Sequence, residues 1–312
     1  MNIMFFGTPD FAVPCLETLI KEGYNVNAVI TQPDKKCGRG QKLTPPPVKE
    51  TAIANNIDVY QPETLKDGAI SGILEKYAPE MIVVVAYGKI LPEYILSFPK
   101  YGCVNVHASL LPKLRGAAPI QWSIINGDTT TGVTTMLMDK GMDTGDILYK
   151  WTTAIEETDN SETLFNKLKV AGAELLKTTV AKLKDGKAVR IKQNEAEATY
   201  APMILKKDAV IDWSYERKAL ANRIRGLNPS PGAVTTLKGK RIKIFSAVAG
   251  EELSDEKEYG KIWGWFEGKG LGVVAGGGIL YITELQPENS KRMPVSEFLK
   301  GYRIEPGDMF GE

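Results

Sequence analysis

Cysteine and histidine are scarce in this chain of 312 residues, which has three cysteines and a single histidine, His107. Cys15, Cys37 and Cys103 form no C-x-x-C pair. The sequence therefore predicts neither a disulfide framework nor a zinc site, and no metal cofactor is expected. A cysteine content of this kind suits a reducing compartment, the cytoplasm. If the chemistry of this protein requires an imidazole, His107 is the one candidate.

Long apolar runs are also missing. The longest purely apolar run, residues 81–86, has the length of a buried strand and is too short to span a membrane. The first residues contain no basic region followed by a small-residue cleavage site, so no signal peptide is predicted. No membrane partner is expected for this chain.

A strong charge of either sign is absent as well. The formal net charge is +1, and residues 208–312 carry 15 basic and 15 acidic side chains. A uniformly basic surface, which would attract a nucleic acid from a distance, is therefore excluded. Any nucleic-acid partner must be contacted by local clusters of Lys and Arg.

Strand and helix signals alternate along the first half of the chain. Short apolar runs that are typical of buried strands occur at residues 2–6, 26–31, 81–86, 103–107 and 133–138. Such runs, separated by helical stretches, predict a Rossmann-like α/β domain whose mainly parallel sheet is covered on both faces. Thr8 is predicted to cap the first helix, and Ser161 is predicted to cap a long helix near residues 160–184.

The character of the sequence changes near residue 208. Five short strand-like segments follow, at residues 233–237, 241–248, 261–266, 271–275 and 279–285. Strands of this length separated by turns predict a small β-barrel. We therefore predict an α/β domain at residues 1–189, a polar linker at 190–207 and a small C-terminal β-barrel at 208–312.

The segment Asn105-Val106-His107 carries the clearest indication of chemistry. Residues two apart in a strand face the same way, so Asn105 and His107 are expected to project together from the carboxyl end of a parallel strand. An amide can donate to a developing oxyanion, and an imidazole can give or take a proton near neutral pH. The alternative is a structural histidine that supports the strand end. The adjacent Asn105 and the position in the sheet favour the catalytic interpretation.

Three carboxylates lie in the loop that follows the strand at 133–138. Asp139, Asp143 and Asp146 are separated by four and three residues, which does not match the alternating ligands of a calcium loop. One of them is instead expected to face His107, where it would fix the tautomer of the ring and stabilise its cation. The residues alone do not select among the three.

A polar loop at residues 33–47 concentrates four basic residues. One interpretation is a solvated surface loop. The other is a loop that binds phosphates near the active site, in which Arg39, flanked by two glycines, can approach a backbone closely. Lys206 and Lys207 in the linker leave the same two interpretations open. The turn after the first strand lacks the G-x-G-x-x-G spacing, so a dinucleotide-binding function is not favoured.

Eight short stretches match a known family. They are residues 6–11, 31–34, 38–40, 84–88, 105–107, 109–112, 115–120 and 143–146. The Asn-x-His segment, the Ser-Leu-Leu-Pro segment and the aspartate loop resemble the wider group of enzymes that use formyltetrahydrofolate. The loop from Thr31 to Gly40 and the C-terminal barrel narrow the resemblance to the methionyl-tRNA formyltransferase family, over the whole length of the chain.

This resemblance implies a formyltransferase domain at residues 1–189 that binds 10-formyltetrahydrofolate, and a C-terminal barrel of the oligonucleotide-binding type. The implied catalytic residues are Asn105, His107 and Asp143. The implied folate contacts are Ser109, Leu110, Leu111, Pro112, Ala86, Tyr87, Gly88, Leu91 and Asp139. The implied tRNA contacts are Arg39, Lys42, Lys206 and Lys207.

The implied reaction is formyl transfer to the free α-amine of methionyl-initiator tRNA. It would be carried out by a monomer in the cytoplasm, with no metal. The alternative is folate-dependent formyl transfer to a small amine, such as an amino-sugar nucleotide or glycinamide ribonucleotide. A small acceptor would need neither the loop that carries Arg39 nor the C-terminal barrel.

Overall fold

Contacts between Cα atoms divide the protein into two units. The structure is a computed structural model that describes residues 1–37, 40–253, 257–305 and 307–312. The first unit contains residues 1–119, 131–153 and 165–202, and the second contains residues 120–130, 154–164 and 203–312. Two segments that the predicted boundary places in the first domain, 120–130 and 154–164, thus cluster with the second unit.

Strands and helices alternate over the first 184 residues. In chain order they are β1 (Asn2–Gly7), α1 (Val13–Lys21), β2 (Asn25–Ile30), β3 (Lys35–Cys37), β4 (Lys42–Thr44), α2 (Pro47–Ala54), β5 (Asp58–Tyr60), α3 (Ser71–Tyr77), β6 (Met81–Val85), α4 (Glu93–Leu96), β7 (Cys103–His107), α5 (Pro119–Ile125), β8 (Thr130–Leu137), β9 (Ile147–Ala154) and α6 (Ser161–Lys184).

The main sheet has the strand order β5-β2-β1-β6-β7-β8-β9. The pairings from β5 to β7 are parallel, and β8 runs antiparallel to β7. Met4 and Ile82 pack in one apolar cluster, while the alternate residues Phe5 and Val83 are equally buried. Because successive side chains of a strand point to opposite faces, both faces of the sheet are covered. The predicted mainly parallel α/β sheet is confirmed.

Both predicted helix caps are wrong. The Thr8 hydroxyl donates to the carbonyl oxygen of Tyr87 at 3.2 Å, and the first helix begins only at Val13, after a 3-10 turn. Ser161 is the first residue of α6, and the side-chain oxygen of Asn160 accepts from the N–H groups of the second and third helical residues. In both cases the cap motif was recognisable, but the partner of the hydroxyl depends on tertiary contacts.

An antiparallel sheet dominates the second unit. Its elements are α7 (Arg217–Gly226), β10 (Ala233–Leu237), β11 (Lys240–Glu252), β12 (Ile262–Phe266), β13 (Gly270–Ala275), β14 (Gly278–Pro287), β15 (Met293–Pro294) and α8 (Val295–Gly301). The strand order is β10-β11-β14-β13-β12, with β15 added to β14. All five predicted strands are present, and β11 and β14 extend beyond their predicted ends.

The last residues of the chain join the two outer strands of this sheet. Phe310 forms a bridge with Leu237 of β10, and Met309 forms one with Lys261, next to β12. The Phe310 ring also stacks on Trp213, with 5.5 Å between the ring centroids. Because edge strands expose unpaired N–H and C=O groups, these bridges cover part of both edges and link them through the C-terminal residues.

None of the helices in the described part of the chain combines the length and the apolar character that crossing a lipid bilayer requires.

Candidate active site

Asn105 and His107 lie at the carboxyl end of β7, in the middle of the main sheet. They pair with Met136 and Thr134 of β8, so they stand two positions apart and face the same side of the sheet. Only 9% of Asn105 and 7% of His107 is exposed. The sheet thus presents an amide and an imidazole together, in a setting that largely excludes water.

Both ring nitrogens of His107 face oxygen atoms. Nε2 lies 3.0 Å from the carbonyl oxygen of Leu114, and Nδ1 lies 3.6 Å from Oδ2 of Asp143. A carbonyl oxygen can only accept, so Nε2 carries a hydrogen. The second nitrogen is slightly beyond hydrogen-bond distance from a carboxylate, and hydrogen bonds of catalytic groups often shorten only when substrate binds. The doubly protonated ring is the form that can donate to both oxygens.

The loop between β8 and β9 brings Asp143 to this histidine. β8 ends with Leu137 opposite Val104, near the start of β7, so the loop must fold back to reach the other end of that strand. Asp143 has a positive φ of 56°, which an aspartate tolerates better than most residues. Its Oδ2 accepts a hydrogen bond of 2.8 Å from the backbone N–H of Gly116. The carboxylate is therefore held between a backbone donor and the imidazole.

The other two aspartates of the loop have different partners. Oδ1 of Asp139 accepts from the N–H of Gly141 at 3.0 Å and from the hydroxyl of Thr144 at 2.6 Å, which closes the loop on itself. Asp146 lies 3.8 Å from the ammonium group of Lys192. Of the three carboxylates that the residues alone left as alternatives, Asp143, the one that the family resemblance implies, lies beside His107.

Gly145 shows why this loop needs a residue without a side chain. An ideal Cβ at this position would lie 1.6 Å from the carbonyl oxygen of Leu137, far closer than any real contact. The N–H of Leu137 in turn donates to the carbonyl oxygen of Asp146 at 2.9 Å. The end of β8 and the residues just before β9 therefore lie in close contact, and this contact allows the loop between them to turn back toward β7.

The side chain of Asn105 is available for a ligand. Within the described ranges, its amide forms no hydrogen bond, although the residue is almost fully buried. The amide is not among the fully buried polar atoms that lack a partner in the described residues, so it keeps contact with solvent and can exchange that contact for a hydrogen bond to an oxygen acceptor. The formyl oxygen of a donor molecule is such an acceptor, so the donors present at this site fit a formyl group. In the same described ranges, His, Cys, Asp and Glu side chains form no group of three or more that could hold a metal ion.

Comparison with known proteins identifies the family. A formyl transferase profile matches residues 1–180, and a profile for the formyl transferase C-terminal domain matches residues 203–303. The methionyl-tRNA formyltransferase of Caldanaerobacter subterraneus subsp. tengcongensis is 51% identical over 308 residues, which cover 98% of this chain and 99% of that protein. This chain belongs to the methionyl-tRNA formyltransferase family.

Two solved structures share the fold of this formyltransferase family member. The methionyl-tRNA formyltransferase from Clostridium thermocellum aligns with a TM-score of 0.56 and 21% identity, over 80% of this chain and 94% of that one. An N-formyltransferase from Helicobacter canadensis, in complex with folinic acid and dTDP-3-aminofucose, aligns with a TM-score of 0.65 and 20% identity, over 93% of this chain and 99% of that one. The family uses formyltetrahydrofolate as its formyl donor.

The predicted folate contacts after β7 form a tight turn in this formyltransferase. The hydroxyl of Ser109 donates to the carbonyl oxygen of Lys113 at 2.6 Å. The hydroxyl of Thr134 donates to the carbonyl oxygen of Ser109 and accepts from the N–H of Leu111. Leu111 and Pro112 are buried, and Leu110 is partly exposed. The polar groups of Ser109 thus shape the turn, and Leu110 is the member of this set that is open to a ligand.

The second set of predicted folate contacts forms a backbone turn after β6. Ala86 and Gly88 are exposed and have positive φ values of 47° and 83°, whereas Tyr87 and Leu91 are buried. The carbonyl oxygen of Tyr87 already accepts from Gln32 at 3.1 Å, in addition to the Thr8 hydroxyl. Because β6 and β7 are parallel neighbours, this turn lies at the same end of the sheet as His107. The backbone N–H and C=O groups of Ala86 and Gly88 take no part in these two hydrogen bonds.

Burial also shapes the environment of the Tyr87 ring. Its edge packs against Phe6 with 5.2 Å between ring centroids, and desolvation raises the pKa of the phenol to about 12. The ring therefore stays neutral and acts as part of the apolar core. Among the described residues the Tyr87 hydroxyl is buried and has no hydrogen-bond partner.

The predicted tRNA contacts that the structure describes belong to both units. Arg39 lies outside the described residues. Lys42 is exposed and belongs to β4, which pairs with β3 in a short antiparallel hairpin of the first unit. Lys206 and Lys207 are exposed and open a 3-10 turn of the second unit. These positions agree with solvated basic residues and leave their role in tRNA binding a prediction.

A network of hydrogen bonds at the base of the polar loop at residues 33–47 was not predicted from the sequence. The ammonium group of Lys49 donates to both carboxylate oxygens of Asp34 at 2.8 Å and to Gln61 at 2.8 Å. Gln61 in turn donates to Asp34 and to the carbonyl oxygen of Gln32. The Lys49 and Gln61 hydrogen bonds lower the pKa of Asp34 below its ordinary value of 3.8.

We expect Lys49→Met to lower the melting temperature at neutral pH, and this difference from the wild type to shrink in acid. The folded-state pKa of Asp34 is depressed, so its stabilisation is present above 3.8 and is lost as the pH falls through the lower folded-state value. Thermal unfolding of both proteins across the acid range measures the gap. Lys66→Met, at an exposed position, is the control. A gap that stays constant with pH would contradict the assignment.

Proposed function

We propose that this chain transfers the formyl group of 10-formyltetrahydrofolate to the free α-amine of methionyl-initiator tRNA, giving N-formylmethionyl-tRNA for translation initiation. The proposal rests on one observation above all. The chain combines a full-length identity of 51% to a methionyl-tRNA formyltransferase with Asn105, His107 and Asp143 grouped at one end of the main sheet. We further propose that it acts as a monomer in the cytoplasm, where initiator tRNA is charged.

The donor, when bound, supplies a formyl carbon that an amine can attack. Asn105 directs its buried, unpaired amide toward the formyl oxygen, which gains negative charge as the amine adds. A donor of this kind, fixed before the reaction, stabilises the developing charge by about 3 kcal/mol. The low exposure of Asn105 strengthens the interaction because little water competes for it.

As the α-amine bonds to the formyl carbon it releases a proton to solvent, and when the bond between that carbon and N10 of the folate breaks, His107 would supply the proton that N10 takes up. The protonated ring would also add a second favourable charge beside the oxyanion. Nε2 is held by the carbonyl oxygen of Leu114, whereas Nδ1 faces Asp143 at a distance longer than a hydrogen bond. Nδ1 is therefore the nitrogen that can give up its proton without loss of the Leu114 contact. Asp143 keeps the ring oriented, as a carboxylate does for a catalytic histidine in other enzymes.

Folate is held by the two turns that flank the end of β7. The exposed backbone of Ala86 and Gly88 offers hydrogen bonds to the pterin ring, and Leu110 offers an apolar surface beside it. Ser109, Leu111 and Pro112 set the shape of the second turn. Asp139 contributes from the acidic loop, where it already fixes the position of Thr144.

Binding of tRNA relies on local basic residues. Arg39 and Lys42 lie in the loop at residues 33–47, and Lys206 and Lys207 open the second unit. The antiparallel barrel provides a further surface of the oligonucleotide-binding type. With 15 basic and 15 acidic residues in positions 208–312, that surface must act through clusters, since the domain as a whole carries no net charge.

The decisive experiment measures transfer of a labelled formyl group from 10-formyltetrahydrofolate to three acceptors. They are charged initiator methionyl-tRNA, the same tRNA without methionine, and a dTDP-linked amino sugar. We expect label only on the charged tRNA. Label on the amino sugar in preference to tRNA would overturn the proposed substrate and favour formyl transfer to a small amine. The Helicobacter canadensis N-formyltransferase, solved in complex with dTDP-3-aminofucose, shares the fold of this chain. No label on any acceptor would overturn the proposed activity.

A further inference from the structure

Arg115 is an arginine buried inside the first unit. Its side chain has 0% exposure, which is rare for arginine unless the charge is paired. Two parallel hydrogen bonds of 2.8 and 2.7 Å join its guanidinium to the carboxylate of Glu195. The side-chain oxygen of Gln193 accepts two more, at 3.1 and 2.8 Å. The planar guanidinium of Arg115 thus donates hydrogen bonds to Glu195 on one side and to Gln193 on the other.

Gln193 connects this arginine to the loop between β8 and β9, which carries Asp143. While its oxygen accepts from Arg115, its amide nitrogen donates to the carbonyl oxygens of Asp143 and Gly145, at 2.7 and 2.8 Å. Asp143 is the residue whose carboxylate faces His107. The side chain of Gln193 therefore spans from a buried charge to the backbone that carries the catalytic carboxylate.

The segment that contains Gln193 is itself bound along its length. We call residues 191–201 the clamp segment. At its start, Ile191 exchanges two backbone hydrogen bonds with Ile147, the first residue of β9 after the loop that carries Asp143. At its end, Thr199 and Ala201 bond to the backbone of Arg115, just before Gly116, the donor to Asp143. The clamp segment thus fixes both stretches of backbone that hold the Asp143 carboxylate.

We propose that Gln193 is a positioning residue for formyl transfer, which holds the Asp143 loop at the distance from His107 that catalysis requires. Arg115 and Glu195 support it by fixing the amide plane of Gln193 in one orientation. This inference rests on the proposed function, because it assigns the reaction to the Asp143 and His107 pair. The clamp segment lies in the region that the sequence predicts to be a polar linker.

The chemistry of the position requires an amide. One end of the side chain must accept from a guanidinium and the other must donate to two carbonyl oxygens, which only Asn and Gln can do. Hydrogen bonding to Arg115 lowers the pKa of Glu195, and Glu195 raises that of Arg115. Both groups are thus held in their charged forms, and the acceptor end of Gln193 is directed toward the arginine.

Two substitutions of Gln193 separate positioning from simple packing. Gln193→Ala removes both contacts. Gln193→Glu keeps the size and the contact to Arg115, but places a carboxylate oxygen against the carbonyl oxygens of Asp143 and Gly145. We expect both variants to lower kcat by about 100-fold, since a displacement of about 1 Å in a catalytic group costs that much, with little change in KM for 10-formyltetrahydrofolate.

The matched control is Glu197→Gln. Glu197 is an exposed carboxylate of the same segment, and its hydrogen bond, at 2.8 Å, is to Asn194 and not to Arg115. We expect its kcat to equal that of the wild type, and all three variants to retain a cooperative melting transition. A Gln193→Glu variant with wild-type kcat would overturn the proposal, because a role in packing or in pairing with Arg115 alone is preserved by glutamate.

Hydrogen exchange tests the same point without the reaction. In the full-length protein without ligands, we expect amides in residues 139–147 to exchange about tenfold faster in Gln193→Ala than in the wild type or in Glu197→Gln. Unchanged exchange would overturn the positioning role. If the wild-type protein itself does not formylate methionyl-tRNA, the proposed function fails, while the exchange comparison still decides whether Gln193 holds the loop.

Discussion

We expect His107→Ala to lower kcat for formyl transfer to methionyl-tRNA by about 1,000-fold or more. The imidazole is assigned both the proton transfer and part of the charge stabilisation, and each of these effects alone is worth about 100-fold or more. No second histidine exists in the chain to replace it. Single-turnover transfer of labelled formyl, with saturating donor and acceptor, measures the loss in the chemical step.

His107→Gln is the matched variant for this prediction. A glutamine amide can still donate to the carbonyl oxygen of Leu114, which His107 contacts at 3.0 Å, so the local structure is preserved better than with alanine. It cannot exchange a proton near neutral pH. We expect it to remain at least about 100-fold below the wild type. If either variant kept activity close to that of the wild type, His107 would be a structural residue and the mechanism would be wrong.

The second large effect is expected for Asp143→Asn, with a fall in kcat of about 100- to 1,000-fold. The amide oxygen of asparagine can still accept the 2.8 Å hydrogen bond from Gly116, so the loop keeps this contact. What is lost is the negative charge 3.6 Å from Nδ1 of His107. Because Oδ2 is the atom that faces both Gly116 and Nδ1, an amide oxygen in its place keeps the loop contact but gives His107 a neutral partner, which orients the ring less strongly than a carboxylate.

Asp146→Asn is the control for the charge of the loop. Asp146 belongs to the same loop, but its partner is the exposed Lys192 at 3.8 Å, and solvent around the lysine screens the pair. We expect the kcat of Asp146→Asn to equal that of the wild type. Equal losses in the two variants would show that the general charge of the loop matters, and not the position of Asp143 beside the histidine.

Local periodicity predicted much of the architecture. The apolar runs that became β1, β2, β6, β7 and β8 were recognisable because a strand buried on both faces has few polar residues. The five strands of the second unit were recognisable for a related reason, since turn residues separate them at short intervals. The errors at Thr8 and Ser161 arose where a hydroxyl or a neighbouring amide had several partners within reach, and propensity alone does not rank them.

The shared direction of Asn105 and His107 also followed from the sequence, because side chains two apart in a strand face the same way. The sequence by itself thus determined the fold class, the strand that carries the candidate site and the one available imidazole. The residues alone left Asp139, Asp143 and Asp146 open, and the family resemblance pointed to Asp143, which the tertiary structure places beside His107. Only the tertiary structure joined Gln193, some fifty residues further along the chain, to the same loop. Local sequence cannot encode these pairings, since they depend on how a loop folds back and where a distant segment returns.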